Sequence, residues 1–77
     1  MGDPFLAVRR KYRGFILQFT RSDHGGRHIH VFRDNRELGV FDRIEGPIRG
    51  LEASWNRDLQ DAVESFIRDL HERGDWQ

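Results

Sequence analysis

Arg27-His28-Ile29-His30-Val31-Phe32-Arg33-Asp34-Asn35-Arg36-Glu37-Leu38-Gly39-Val40-Phe41-Asp42 reads as a β-hairpin. Apolar residues recur at every second position on both sides of Asp34-Asn35, a pair that tolerates the left-handed φ of a two-residue turn. The predicted strands run from Arg27 to Arg33 and from Arg36 to Asp42. A two-residue loop then pairs Val31 with Leu38 and Ile29 with Val40, placing four apolar side chains on one face. On the reverse face His30 meets Gly39, His28 meets Phe41 and Phe32 meets Glu37. Turn chemistry and hydrophobic pattern agree on this hairpin.

Working outward toward the N-terminus, Arg21 to Gly26 is a polar connection long enough to shape a site. Before it, Phe15 to Thr20 reads as a strand joined through Arg13-Gly14 to another strand over Phe5 to Tyr12, with Val8 opposite Phe19 and Arg10 opposite Leu17. Residues 1–4 read as a short leader containing Pro4, which cannot donate to a ladder. Toward the C-terminus, residues 43–53 contain Gly46-Pro47 and Gly50 and read as a loop with a short extended piece at Ile48. Ser54 or Asn56 caps a helix spanning 54–74, whose stripe is Leu59, Ala62, Val63, Phe66, Ile67 and Leu70. Gly74 is a C-cap candidate, His71 and Arg73 suit the last turn, and residues 75–77 form a tail. The predicted class is α+β: one domain, a four-stranded antiparallel meander with a single C-terminal helix packed on one face. Burying the helix stripe contributes on the order of 10 kcal/mol, so Phe66→Asp is expected to unfold the domain.

The 77 residues are near the length at which one hydrophobic core just suffices, and 36% apolar content is too high for a disordered chain. The absence of cysteine excludes disulfides and thiolate zinc sites. With no apolar run of transmembrane length and no signal-peptide pattern, the expectation is a soluble cytoplasmic protein with no membrane partner. The formal net charge of zero conceals a split. Residues 1–36 hold eight Lys/Arg against three Asp/Glu, and residues 37–77 hold five against ten. Such asymmetry fits a nucleic-acid face with an acidic back, and equally two halves that neutralise each other.

One helix covers one sheet face, so the other face should present Arg9, Lys11, Gln18, His28, His30, Phe32 and Phe41. Cations, imidazoles and aromatic rings on one sheet surface are the ingredients of single-stranded RNA binding, in which bases stack on rings and phosphates meet Lys/Arg. The same two phenylalanines also suit burial in a homodimer or under a protein partner. His28 and His30, two apart on a strand, share a face and suit metal-independent RNA cleavage, one activating the 2′-hydroxyl and the other protonating the leaving oxygen. Arg27 or Arg33 would then stabilise the phosphorane, provided the strand end twists to bring it round. In that scheme Gly39 opposite His30 leaves room for substrate, and no cofactor is needed. A metal site formed by His28, His30, His24 and Asp23 is a weaker alternative. Polar strand positions without a role are the plain alternative to both. His71 and Trp55 read as structural, and Gly25-Gly26 as a turn.

The run from Asp23 to Phe32, followed by Glu37-Leu38-Gly39 and an acidic amphipathic helix, resembles a family of small uncharacterised bacterial proteins. In that family a strand ending near an Asp-His pair leads to a His-x-His-Val strand, usually after Pro-Pro or Gly-Pro, where this chain has Gly25-Gly26. The resemblance covers about residues 14–72. Members look like components of toxin–antitoxin gene pairs, which implies an RNA-directed toxin or its antitoxin-like partner. No assigned reaction comes with the family, so the resemblance carries over only His24, His28 and His30, as motif positions. The leading expectation is therefore a toxin–antitoxin-type module that binds RNA through Arg9, Lys11, Gln18, Arg27, Phe32 and Phe41, with ribonuclease activity at the histidines. The alternative is a non-enzymatic module docking a protein partner or a second copy through the same face.

Overall fold

The computed structural model describes residues 7–21 and 26–76. In chain order these form β1 (Ala7–Tyr12), β2 (Phe15–Thr20), β3 (His28–Arg33), β4 (Arg36–Asp42), β5 (Gly46–Ile48), α1 (Leu51–Ser54) and α2 (Arg57–Glu72). The strands make an antiparallel meander in sequence order, and α2 packs across one side of it. The α+β class is as expected. The expected leader and the first two residues of the first strand lie outside the described residues.

The first hairpin has the expected register, with Val8 opposite Phe19 and Arg10 opposite Leu17. Arg13 and Gly14 both take positive φ, at 52° and 84°, as the two-residue turn that matches strand twist requires. The second hairpin also turns at Asp34-Asn35, with φ of 52° and 64°. Its register holds as expected only for Arg33 with Arg36 and Phe32 with Glu37. The ladder then shifts by one residue, so that Val31 faces Gly39, Ile29 faces Phe41, His30 faces Val40 and His28 faces Asp42. Leu38 is the extra residue of a β-bulge. The expected pairings of His30 with Gly39 and of His28 with Phe41 are therefore corrected. Phe41 turns toward the helix, and Val40 turns to the opposite face.

The reason for the shift lies at Gly39. A Cβ at this position would stand 2.3 Å from the backbone N of Leu51, so a side chain cannot be accommodated there. The bulge turns the one side-chain-free position of β4 toward the helix side, where α1 lies directly on the strand.

Among the described residues the sheet has five strands rather than the expected four, because Gly46–Ile48 pairs with β4. Pro47 occupies an edge strand, where its missing N–H costs no ladder bond. The helix is shorter than the predicted 54–74. Residues 51–54 form the separate turn α1, Trp55 is extended, and Asn56 caps α2 by accepting from the Leu59 N–H at 2.9 Å. At its far end Gly74 N–H donates to His71 O at 3.0 Å and Asp75 N–H to Leu70 O at 2.9 Å, the paired bonds of a Schellman motif. This motif directs the tail back onto the sheet. Trp76, which the sequence leaves uninterpreted, is buried edge-on against Phe19 with ring centroids 6.0 Å apart.

Between sheet and helix, Leu17, Phe19, Ile29 and Val31 meet Leu51, Leu59, Val63, Phe66 and Leu70, all almost fully buried. Each contributes roughly 1.5–3 kcal/mol on burial. The charge split is partly absorbed by the fold itself. Arg10 pairs with Asp69 at 3.4 Å, and Arg13 with Asp58 at 3.3 Å and Asp61 at 3.6 Å, so the basic hairpin grips the acidic helix. Among the described residues no helix is long and apolar enough to cross a membrane.

Candidate nucleic-acid interface

The face turned away from α2 is organised as rows running across the strands. One row is Arg9, Gln18, His30, Val40 and Ile48, and beside it lies Lys11, Ile16, Phe32 and Glu37. A third row begins on β3 with His28 and continues through Asp42 to Gly46. Residues opposite each other in neighbouring strands share a face and touch, so each row is a strip of adjacent side chains.

In the first two rows, Arg9 Nη1 donates to Gln18 Oε1 at 2.8 Å, and the Arg9 guanidinium lies 5.6 Å from the centre of the Phe32 ring. His30 Nδ1 is 3.2 Å from Glu37 Oε2, and the His30 ring centroid stands 6.4 Å from that of His28. Lys11 is exposed, while Gln18, His30 and Phe32 are partly so. Together they form a surface of cations, an amide, an imidazole and an aromatic ring.

The third row is closed. Asp42 is 1% exposed, and its Oδ2 accepts from the backbone N–H of Ile44 at 2.9 Å and of Glu45 at 2.8 Å, and from Arg27 Nη2 at 3.0 Å. Its Oδ1 lies 3.0 Å from Nε2 of the buried His28, close in distance but misaligned for a hydrogen bond. Burial raises the Asp42 pKa, but the Glu45 and Ile44 amides and the Arg27 guanidinium outweigh it and lower it from 3.8 to about 2. The carboxylate is thus ionised at neutral pH; it ties the β4–β5 turn to the residue preceding β3 and packs beside His28.

The sequence-derived candidates do not stay together, and His28 lies in the closed third row. Arg9, Lys11, Gln18, His30 and Phe32 occupy the outer face together. Arg27 donates from Nη2 to Asp42 Oδ2 at 3.0 Å, so its guanidinium is engaged by that buried carboxylate. Phe41 does not belong to this surface, because the bulge turns it inward against Trp55, with ring centroids 5.6 Å apart and an interplanar angle of 14°. Arg33 lies over the Phe15 ring at 4.8 Å, on the helix side of the sheet and away from both histidines. Asp23 and His24 lie outside the described residues, and among those described no three His, Cys, Asp or Glu side chains gather as metal ligands. Sequence reasoning missed Asp42. Its signal is an aspartate that ends a strand and is followed by a short loop closing at Gly46, the pattern in which a carboxylate accepts from the N–H groups two and three residues ahead.

Compared with known proteins, the chain matches no family model, no curated protein and no solved structure.

Proposed function

We propose that this protein is an RNA-binding module of the toxin–antitoxin type, engaging single-stranded RNA on the outer face of β1, β2 and β3. The observation that carries the reading is the Arg9–Gln18–Phe32–His30 cluster. A guanidinium lies over an accessible ring, with hydrogen-bonding groups in the adjoining row and Lys11 beside them. Stacking on Phe32 supplies sequence-tolerant affinity, and Arg9 and Lys11 meet the backbone phosphates. His28 is a positioning residue in this account, since it is 5% exposed and packed beside Asp42.

Titration of a fluorescein-labelled single-stranded RNA, followed by anisotropy at several salt concentrations, tests the reading. With two phosphates neutralised, log affinity falls against log salt with a slope of about −1.4, and Lys11→Ala reduces that slope by about 0.7. An affinity indifferent to salt would favour an apolar docking face for a protein partner or a second copy.

A second reading, metal-independent cleavage of the bound RNA, is favoured by the buried Asp42 carboxylate beside His28 and the 6.4 Å separation of the two imidazoles. In it, the more exposed His30 takes the 2′-hydroxyl proton as that oxygen attacks phosphorus, a solvent water protonates the departing 5′-oxygen, leaving a cyclic phosphate, and the buried His28 positions His30 from beneath. Cleavage in the presence of chelator, abolished in His30→Ala while binding persists, supports it. RNA left intact by the wild-type protein restricts the function to binding.

A further inference from the structure

A second surface lies on the helix side of the molecule, away from the RNA face. Phe41 and Trp55, stacked on each other, form one wall of a groove of about 260 Å³ whose other wall is α2, through Val63 and Ile67. Gln60 and Glu64 stand at its rim, one helical turn apart, with the Gln60 amide donating to Glu64 at 3.2 Å. The groove is about the size of one or two large side chains, smaller than a typical small-molecule site.

Its charge is distinctive. Three of the acidic side chains on α2 are already matched within the molecule, since Asp58 and Asp61 receive Arg13 and Asp69 receives Arg10. Glu64 is exposed, and no cation of the described residues lies within ion-pair distance of it. An unmatched carboxylate at the edge of an aromatic and aliphatic groove is complementary to a large apolar side chain adjacent to Arg or Lys. A second copy paired about a two-fold axis through this groove would bring Glu64 against Glu64, and a nucleic acid would bring its phosphates against Glu64.

We infer that this groove docks a segment of a partner protein in which a leucine or phenylalanine is flanked by arginine or lysine. The apolar side chain enters between Trp55 and Ile67, and the cation pairs with Glu64. RNA and partner then occupy opposite sides of the sheet, so one does not exclude the other.

The test is an NMR titration of the ¹⁵N-labelled full chain with a synthetic amphipathic peptide carrying Leu, Phe and Arg, and with its counterpart carrying Glu in place of Arg. The Arg peptide should move the amide signals of Gln60, Glu64 and Ile67 and the Trp55 indole signal, and leave those of Arg9 and Gln18 in place. Glu64→Lys should weaken it about threefold to fivefold, the size of one partly exposed ion pair, and should strengthen the Glu peptide in turn. Equal response to both peptides, or to neither, overturns the inference. Movement of the same signals on simple concentration of the protein overturns it in favour of a second copy, and movement on adding RNA in favour of nucleic acid.

Discussion

At the scale of single residues, Asp42 has the most to explain. It is a carboxylate buried at the end of a strand, and it remains charged because two backbone N–H groups and a guanidinium replace its lost water. A depressed acid pKa stabilises the fold above the unfolded value and loses that contribution as pH falls through the folded one. Stability should therefore drop between pH about 4 and about 2, and Asp42→Asn should flatten this part of a pH series of thermal melts. At neutral pH the same variant, which weakens the charge-assisted bonds, should cost about 1–3 kcal/mol by urea unfolding. Nothing in the periodicity of β4 marks this residue, since its partners are backbone amides that come into reach only when the β4–β5 turn closes. The turn pattern of an aspartate followed by a loop ending in glycine was the available clue.

At the scale of elements, both hairpin turns and the entire first register were legible, because turn residues and alternation specify the same pairing. The second register was legible only as far as Phe32 with Glu37. Leu38 and Val40 suit a core-facing pair as well as any apolar residues do, so alternation alone favours the regular ladder. What overrides it is a contact distant in sequence, the close approach of Leu51 to Gly39. A glycine inside a strand signals a bulge or a close backbone neighbour, and here it is both. Gly39→Ala should lower stability by at least about 2 kcal/mol in urea unfolding, since the added carbon meets backbone rather than a movable side chain. An unchanged midpoint would place α1 away from the strand. The fifth strand was hidden for a related reason: Gly46-Pro47 reads as a loop, and only edge pairing to β4 makes it a strand.

At the scale of the whole molecule, the two sides of the sheet differ in what they carry. The inner side holds the core and is sealed at one end by the returning tail, where Trp76 packs on Phe19 and Asp75 is held by Arg21. Trp76→Ala should cost about 3 kcal/mol, read as a lowered melting temperature, although the residue looks like an appendage in the sequence. The edges are guarded: β1 exposes Arg9, Arg10 and Lys11, and β5 is short and carries Pro47. Part of the basic charge that suggested a nucleic-acid partner, Arg10 and Arg13, is spent on the acidic helix, which composition cannot reveal because it counts charges without placing them. What remains for the proposed RNA site is the compact outer cluster around Phe32, a position whose face both the simple ladder and the bulged one assign alike. The most direct test of the account is the affinity of Phe32→Ala and of Trp55→Ala for the same single-stranded RNA. Loss of one stacked base should weaken Phe32→Ala by about tenfold or more, while Trp55→Ala, on the opposite side of the sheet, binds as the wild type does. Undiminished binding by a folded Phe32→Ala protein would contradict the account.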